Sequence, residues 1–508
     1  MSANGTAPRL MEPPPLSLVA RQAWYPWLIV GVACAGAFIA QLDASIVQLA
    51  LPSLAVEFQT TLNQVSWVPI GYLLTLAALL PVFGRLCEMW GRKLLYVIGF
   101  LLFTIASALC GMAESLTWLV AARLLQGVGG AMLAANSIAI MTAAVGQSGR
   151  ARALGWFAAA QAIGLSAGPP IGGLLLSTLS WRWIFWVTVP IGGAITVIGL
   201  LLLPRSTGLV TGKTFDWLGA MLLVPALVGV VLLLNQGTAW GFTSPAMLLT
   251  GCATVVLLVL LCRHELRTTS PLITLRAFAN PAFACGVIGV LLSAALLYGI
   301  FFIVSFGLVR GYHRPVEMAG LRLALIPIVI GLVAPFSGTL AQRFGARSIS
   351  VAGMALCIVS LLILAIIATA HQAQVAMGAI AFALFGVGLG LFITPNNHRT
   401  LNAAPANLSG ESGAVVNLMR VLGGCLGVAS ASTVLTQEIK RMTGNHSDWA
   451  IFEGRPLLEA VESGFLLLMG YALVTGALSL IRAKPATVVA DSAAGGRGQV
   501  YRKPVRCK

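Results

Sequence analysis

The sequence predicts an all-α integral membrane protein of fourteen transmembrane helices, built as two six-helix bundles with two further helices inserted between them. Three observations carry this. First, 58% of the 508 residues are hydrophobic and only 9% are charged, against about 25% charged in a soluble protein. Such a chain cannot cover a surface that faces water. Second, uncharged runs recur along its whole length, and about 20 apolar residues suffice for a helix to cross about 30 Å of hydrocarbon. Run length excludes a transmembrane β-barrel, whose strands need only about ten alternating residues. Third, "GRLCEMWGRK" from Gly84 is repeated as "GTLAQRFGAR" from Gly338, and "QGVGGAMLAANS" from Gln126 as "FGVGLGLFITPNN" from Phe385. Two repeats at nearly one offset mark duplicated halves. The offset spans eight predicted helices instead of six, which makes helices 7 and 8 the insert.

Residues 1–23, with "EPPPLS", read as a disordered cytosolic arm, since no small-residue cleavage site precedes a short apolar core. The first bundle, 24–206, holds helices at 26–50, 64–86, 94–112, 117–144, 152–176 and 182–203. The insert, 207–264, holds 217–235 and 245–262, because Trp217 to Cys262 is uncharged for long enough to cross twice. The second bundle, 265–485, holds 281–306, 318–341, 349–370, 374–395, 412–436 and 462–482, and 486–508 is a basic cytosolic tail. The net charge of +16 follows from loops such as those carrying Arg85, Arg92, Lys93, Arg343 and Arg347. Lys and Arg collect on the cytoplasmic side, which places both termini on the cytoplasmic side of a multi-pass protein expected in the bacterial cytoplasmic membrane. The tail is too short, and too poor in interleaved aromatics, for nucleic acid to be a partner. The nine cysteines show neither a disulfide framework nor metal-ligand spacing.

Within helix 1, "AQLDASIVQLALP" places Asp43 in an otherwise uncharged run. An ionised carboxylate in the bilayer core costs at least about 2.5–3.5 kcal/mol, so such residues face the bundle and serve function. Gly36, Ala40, Val47 and Ala50 share its face at helical spacing. A carboxyl whose surroundings alternate between wet and dry can carry a proton. The alternative is a structural carboxylate locked to a neighbour. Arg123, about 9 Å into helix 4, lies at a similar depth and is expected to act on Asp43. Alternatively it only caps carbonyls or snorkels.

In the loop between helices 2 and 3, Gly84 allows close packing and Gly91 permits the turn. Glu88 is expected to pair with Arg92, or with a helix N-terminus of the other half. In helix 5, "GLSAGPPIGG" has four glycines and two prolines. Pro169 removes a donor and kinks the helix. Gly164, Gly168 and Gly172 share a face on which another backbone can approach, and Gly173 follows. In the second half, Arg322 and Arg420 are candidate substrate contacts, and Glu411 stands near the start of helix 13. Gln126, Trp67, Tyr72, Tyr298, Phe302 and Phe306 are candidate cavity residues.

Five of these segments, in this order, resemble the major facilitator superfamily, and within it the fourteen-helix drug:proton antiporter group (EmrB/QacA-like). They are "LDASIVQLALP", "GRLCEMWGRK", "RLLQGVGGA" from Arg123, "GLSAGPPIGG", and "WRWIFWVTVPIG" from Trp181. The chain departs from the pattern at Ser45, Gln48 and Glu88, and Gln342 replaces an acid in the second loop copy. The resemblance implies the major facilitator fold, with helix 5 packed on helix 1 as in exporters. It implies a proton-coupled antiporter that exports small amphipathic molecules, or one metabolite or anion, by alternating access. Substrate then binds near the midplane between the halves. Asp43 and Arg123 would couple protons, and the proton gradient, not a cofactor, would supply the energy. The expected partners are the bilayer, protons and a small-molecule substrate; a periplasmic adaptor protein is a further candidate. An enzyme is not expected. HExxH, GxSxG and phosphate-loop motifs are absent, and all five histidines, His264, His313, His371, His398 and His446, are expected in loops. A non-transporting sensor would not need Asp43.

Overall fold

The computed structural model describes residues 12–206, 215–241, 243–268, 271–369, 374–404, 409–443 and 453–481, and all regular structure among them is helical. The first half opens with α1 (Tyr25–Glu57), α2 (Trp67–Trp90) and α3 (Arg92–Gly111). A single 63-residue run, Leu116–Thr178, follows. At 1.5 Å per residue it would extend about 95 Å, some three times the hydrocarbon thickness. It turns back at Gly146 (φ 63°, ψ −167°), a conformation essentially reserved for glycine. Its arms, 116–145 and 147–178, are α4 and α5. Then come α6 (Thr188–Leu202), α7 (Trp217–Trp240), α8 (Pro245–Arg267), α9 (Pro281–Phe306), α10 (Val316–Phe344), α11 (Ala346–Thr369), α12 (Gln374–Ala403), α13 (Ser409–Thr443) and α14 (Arg455–Ser479). Among the described residues, 13 helical runs are long and apolar enough to cross a membrane. The bent run supplies two of the fourteen expected crossings.

Several helices outrun their apolar cores. α1 continues through Pro52 to Glu57, α12 through Pro395 to Ala403, and α14 begins at Arg455, well before the expected 462. Hydropathy marks the part that meets lipid, while backbone hydrogen bonding carries the helix into polar sequence. For that reason His264 and His398 lie in helices α8 and α12, not in loops; His371 and His446 lie outside the described residues.

The duplication is visible in three dimensions. Gly91 (φ 113°, ψ 135°) and Gly345 (φ 87°, ψ 134°) end α2 and α10 in the same left-handed conformation. A Cβ on Gly127 would lie 2.7 Å from the Tyr72 carbonyl of α2, and one on Gly386 would lie 2.8 Å from the Ile326 carbonyl of α10. Likewise Gly129 seats against Gly99 of α3, and Gly388 against Gly353 of α11. Corresponding glycines admit corresponding helices at close range.

Arg85, Arg92, Arg343 and Arg347 share one end of the bundle, the basic end. The halves meet at the far end. There a Cβ on Gly173 of α5 would lie 2.9 Å from Glu317 Cα of α10, and one on Gly320 would run into the Pro169 carbonyl. The insert joins this contact. Asn235 of α7 donates to Ser66 Oγ (2.9 Å) before α2 and to Ser432 Oγ (3.2 Å) of α13, while Thr433 Oγ1 donates to the Leu234 carbonyl (2.8 Å). At the basic end, a Cβ on Gly84, Gly155, Gly338 or Gly413 would meet nothing within 4 Å.

Residues 12–23 depart from the expected disordered arm. Glu12 is buried, and its Oε1 accepts from Leu94 N (3.2 Å) and Ser206 Oγ (2.8 Å) while Oε2 accepts from Ser206 N (2.6 Å). Arg205 Nε donates to the Glu12 carbonyl (2.8 Å), and Lys93 Nζ donates to the carbonyls of Pro13 and Leu203 (both 2.7 Å). The physical reason is the start of α3, whose first N–H groups have no intrahelical partner and attract an anion.

Candidate functional site

Asp43 sits in the middle of α1, fully shielded from solvent. α4 brings Arg123 to it: Arg123 Nη1 donates to Asp43 Oδ2 at 2.6 Å, with both side chains buried. Arg123 and Gln126, three residues apart, project from the same face of α4. Gln126 Nε2 donates to Asp43 Oδ1 (2.9 Å) and to Ser107 Oγ of α3 (2.8 Å), while its Oε1 accepts from Arg123 Nη1 (2.5 Å). Arg123 Nε donates to the Val68 carbonyl of α2 (3.2 Å). Both carboxylate oxygens are therefore occupied, and the guanidinium is held by three helices. A buried ion pair is stable only when such hydrogen bonds fill its remaining valences. The Tyr72 ring lies 4.5 Å from the Arg123 guanidinium carbon, and Phe185 lies 5.7 Å from it on another side.

Tyr72 also lines the central cavity, of about 420 Å³, which both halves build. Gly36, Ala40, Gln41, Leu76, Ser137, Phe157 and Gln161 come from the first half. Ser293, Leu297, Tyr298, Asn397, Asn417 and Arg420 come from the second. Its size and its mix of apolar wall with a few polar groups suit a small organic ligand.

The expected site residues divide accordingly. Asp43 and Arg123 are bonded, and Tyr72, Tyr298 and Arg420 line the cavity. Gln126 does not line it; its amide is spent on Asp43 and Ser107. Arg322 lines a separate pocket with Tyr312 and Arg314. Phe302 and Phe306 are buried against each other (5.1 Å between rings), and Trp67 packs on the core outside the cavity lining.

In the helix-5 motif, a Cβ on Gly164 would run into the Phe38 carbonyl. One on Gly168 would run into Ser45 Oγ, and one on Gly172 would lie 2.8 Å from Ile46 of α1. Gly173 faces α10 instead. Glu88 pairs with Arg85 one turn away (3.0 Å), not with Arg92 and not with the other half. The close packing expected at Gly84 is absent, since its neighbourhood is open. Glu88 and Arg92 line a second cavity at the basic end with Lys93 and Arg205. Glu411 accepts a hydrogen bond from Thr274 Oγ1.

Sequence reasoning missed Ser107, Asn235 and Glu12. Asn235 carried a signal, being with Gln236 one of two adjacent amides within an uncharged run. Ser107 and Glu12 carried none.

The family model described as Major Facilitator Superfamily matches residues 33–428. The riboflavin transporter RibZ of Clostridioides difficile is 30% identical over 414 residues, covering 81% of this chain and 89% of that protein. The multidrug resistance protein Stp of Mycobacterium tuberculosis is 31% identical over 425 residues (82% and 77%). The tetracenomycin C resistance and export protein of Streptomyces glaucescens is 30% identical over 419 residues (82% and 77%). Among solved structures, a bacterial homolog of the human lysosomal transporter Spinster, in an inward-facing and unoccupied conformation, superposes with a TM-score of 0.65 at 14% identity, covering 90% of this chain and 97% of that one. The bent α4–α5 run, the paired glycine seats of the two halves and this match over most of the sequence agree: the chain belongs to the Major Facilitator Superfamily.

Proposed function

We propose that the protein is a proton-coupled antiporter that exports small amphipathic molecules across the cytoplasmic membrane by alternating access. One observation carries the reading: a buried Asp43–Arg123 pair stands beside the central cavity, with Tyr72 belonging to both. Protonating Asp43 removes the negative partner of Arg123. The guanidinium must then find other acceptors, and the Tyr72 ring stacked on it moves with it. A proton taken up on the carboxylate thus changes the cavity wall. The positive-inside tendency makes the basic end cytoplasmic, and the arrangement of the halves is then closed outward and open inward. One proton entering down 100 mV releases about 2.3 kcal/mol, enough for a substrate gradient of nearly fiftyfold. The name of the tetracenomycin C resistance and export protein supports export of an organic molecule, and that of Stp a role in resistance to several drugs.

Asp43→Asn keeps the shape of the side chain and removes the carboxylate. In proteoliposomes with an imposed pH gradient, this variant is expected to insert normally, lose uphill transport of an amphipathic dye, and show no substrate-induced proton movement. Full coupled antiport by Asp43→Asn would show that the carboxylate is structural.

A further inference from the structure

We infer that the central cavity selects amphipathic molecules bearing a negative charge, and that Arg420 recognises that charge. The inference rests on the reading of the cavity as the transport site. Among the described residues, Arg420 is the only charged side chain lining the cavity. It makes no hydrogen bond or ion pair among the described residues. The other deep arginine, Arg123, is fully engaged by Asp43, Gln126 and the Val68 carbonyl. Asp43 is therefore unable to neutralise Arg420 without abandoning Arg123. Glu411, the acid nearest in sequence on α13, is bonded to Thr274 at the basic end.

A guanidinium has five N–H donors in a planar fork that matches carboxylate, sulfonate or phosphate. Left unpaired in a half-buried cavity it is costly, and an incoming anion relieves that cost. Asn417 lies one turn before Arg420 on the same face of α13, and Asn397 and Tyr298 line the cavity from α12 and α9. These add neutral donors beside the fork. Leu73, Leu76 and Leu297 provide apolar wall. The volume of about 420 Å³ suits a fused aromatic of two or three rings with one acidic group. A cationic amphiphile of the same shape would face like charge in a low-dielectric space. The membrane potential, negative inside, also drives an anion outward and so assists its export.

The test uses the full chain in lipid nanodiscs and three probes of one shape: anthracene-9-carboxylate, 9-anthracenemethanol and 9-anthracenemethylammonium, with binding read by fluorescence anisotropy. The carboxylate is expected to bind about ten- to a hundredfold more tightly than the alcohol, as a charge-assisted hydrogen bond allows, and the ammonium most weakly. Arg420→Gln should abolish the preference while the alcohol binds as before; Arg420→Lys should keep part of it. The ranking by the unmodified protein needs no variant: if the ammonium binds as tightly as the carboxylate, the inference is overturned. A preference that survives Arg420→Gln overturns the role of Arg420. Proton-driven uptake of the same probes into proteoliposomes separates the two ideas. If the carboxylate binds best and none of the probes moves, the transport reading fails and charge selection stands. If the ammonium is moved in preference, charge selection fails and transport stands.

Discussion

At the scale of single residues, the site is a contest between burial and bonding. Asp43 and Arg123 tolerate full burial because Gln126 and the Val68 carbonyl occupy their remaining valences, and Ser107 in turn accepts from Gln126. Removing one member of such a pair strands the other. Arg123→Leu is expected to destabilise the protein by about 3–5 kcal/mol, and Gln126→Leu by about 1–3 kcal/mol, because it leaves Asp43 Oδ1 without its donor. Adding Asp43→Asn to Arg123→Leu should restore part of the loss. Thermal unfolding in detergent checks this, and three melting curves like that of the unmodified protein would show that the pair holds nothing together. Asp43 and Arg123 were legible in the sequence because a charge in an apolar helix has few innocent explanations. The task of Gln126 was not. An amide reads the same on a cavity wall and inside a network, and only the position of α3 decides between them.

At the scale of elements, α5 is two surfaces on one helix. Gly164, Gly168 and Gly172 face α1 at a spacing of four, while Gly173, one residue further round, faces α10. The motif was legible as a close-packing face; that its last glycine serves the other half was not, because a run of small residues does not say which neighbour comes near. Gly168→Val places branched carbons against Ser45 Oγ and 2.9 Å from the Ile46 amide, and overpacking of this kind costs about 1–3 kcal/mol. The variant should still insert but transport poorly. Normal transport at normal abundance would show that α5 and α1 need not be this close. The bend at Gly146 was expected as a loop, and it is a single residue in a glycine-only conformation within a continuous helical run.

At the scale of the molecule, the two halves are copies in architecture and not in chemistry. The repeat that places Arg123 and Gln126 in α4 places Phe382 and Phe385 at the matching positions of α12, both buried. The buried ion pair therefore belongs to the first half alone, and the sequence repeat already shows this. The copies at Gly84 and Gly338 face open space while the far end is closed, so these glycines serve no contact in this arrangement. Gly84→Val is accordingly expected to leave the melting temperature unchanged, since it meets nothing here, and to lower transport severalfold by obstructing closure of the basic end. Unchanged transport would mean that the basic end closes without bringing this loop into contact. The tie made by Asn235 between the insert and both halves was beyond sequence reading, because a single amide fixes no partner.

The Glu12 contact has a topological consequence. Its carboxylate meets Ser206, so the first bundle begins and ends at one point. A bundle whose ends meet behaves as a self-contained block: it can be copied or extended at that junction without being opened. The additional pair α7–α8 enters the chain directly after this junction. The first bundle is thus fastened shut before the chain goes on to α7 and α8.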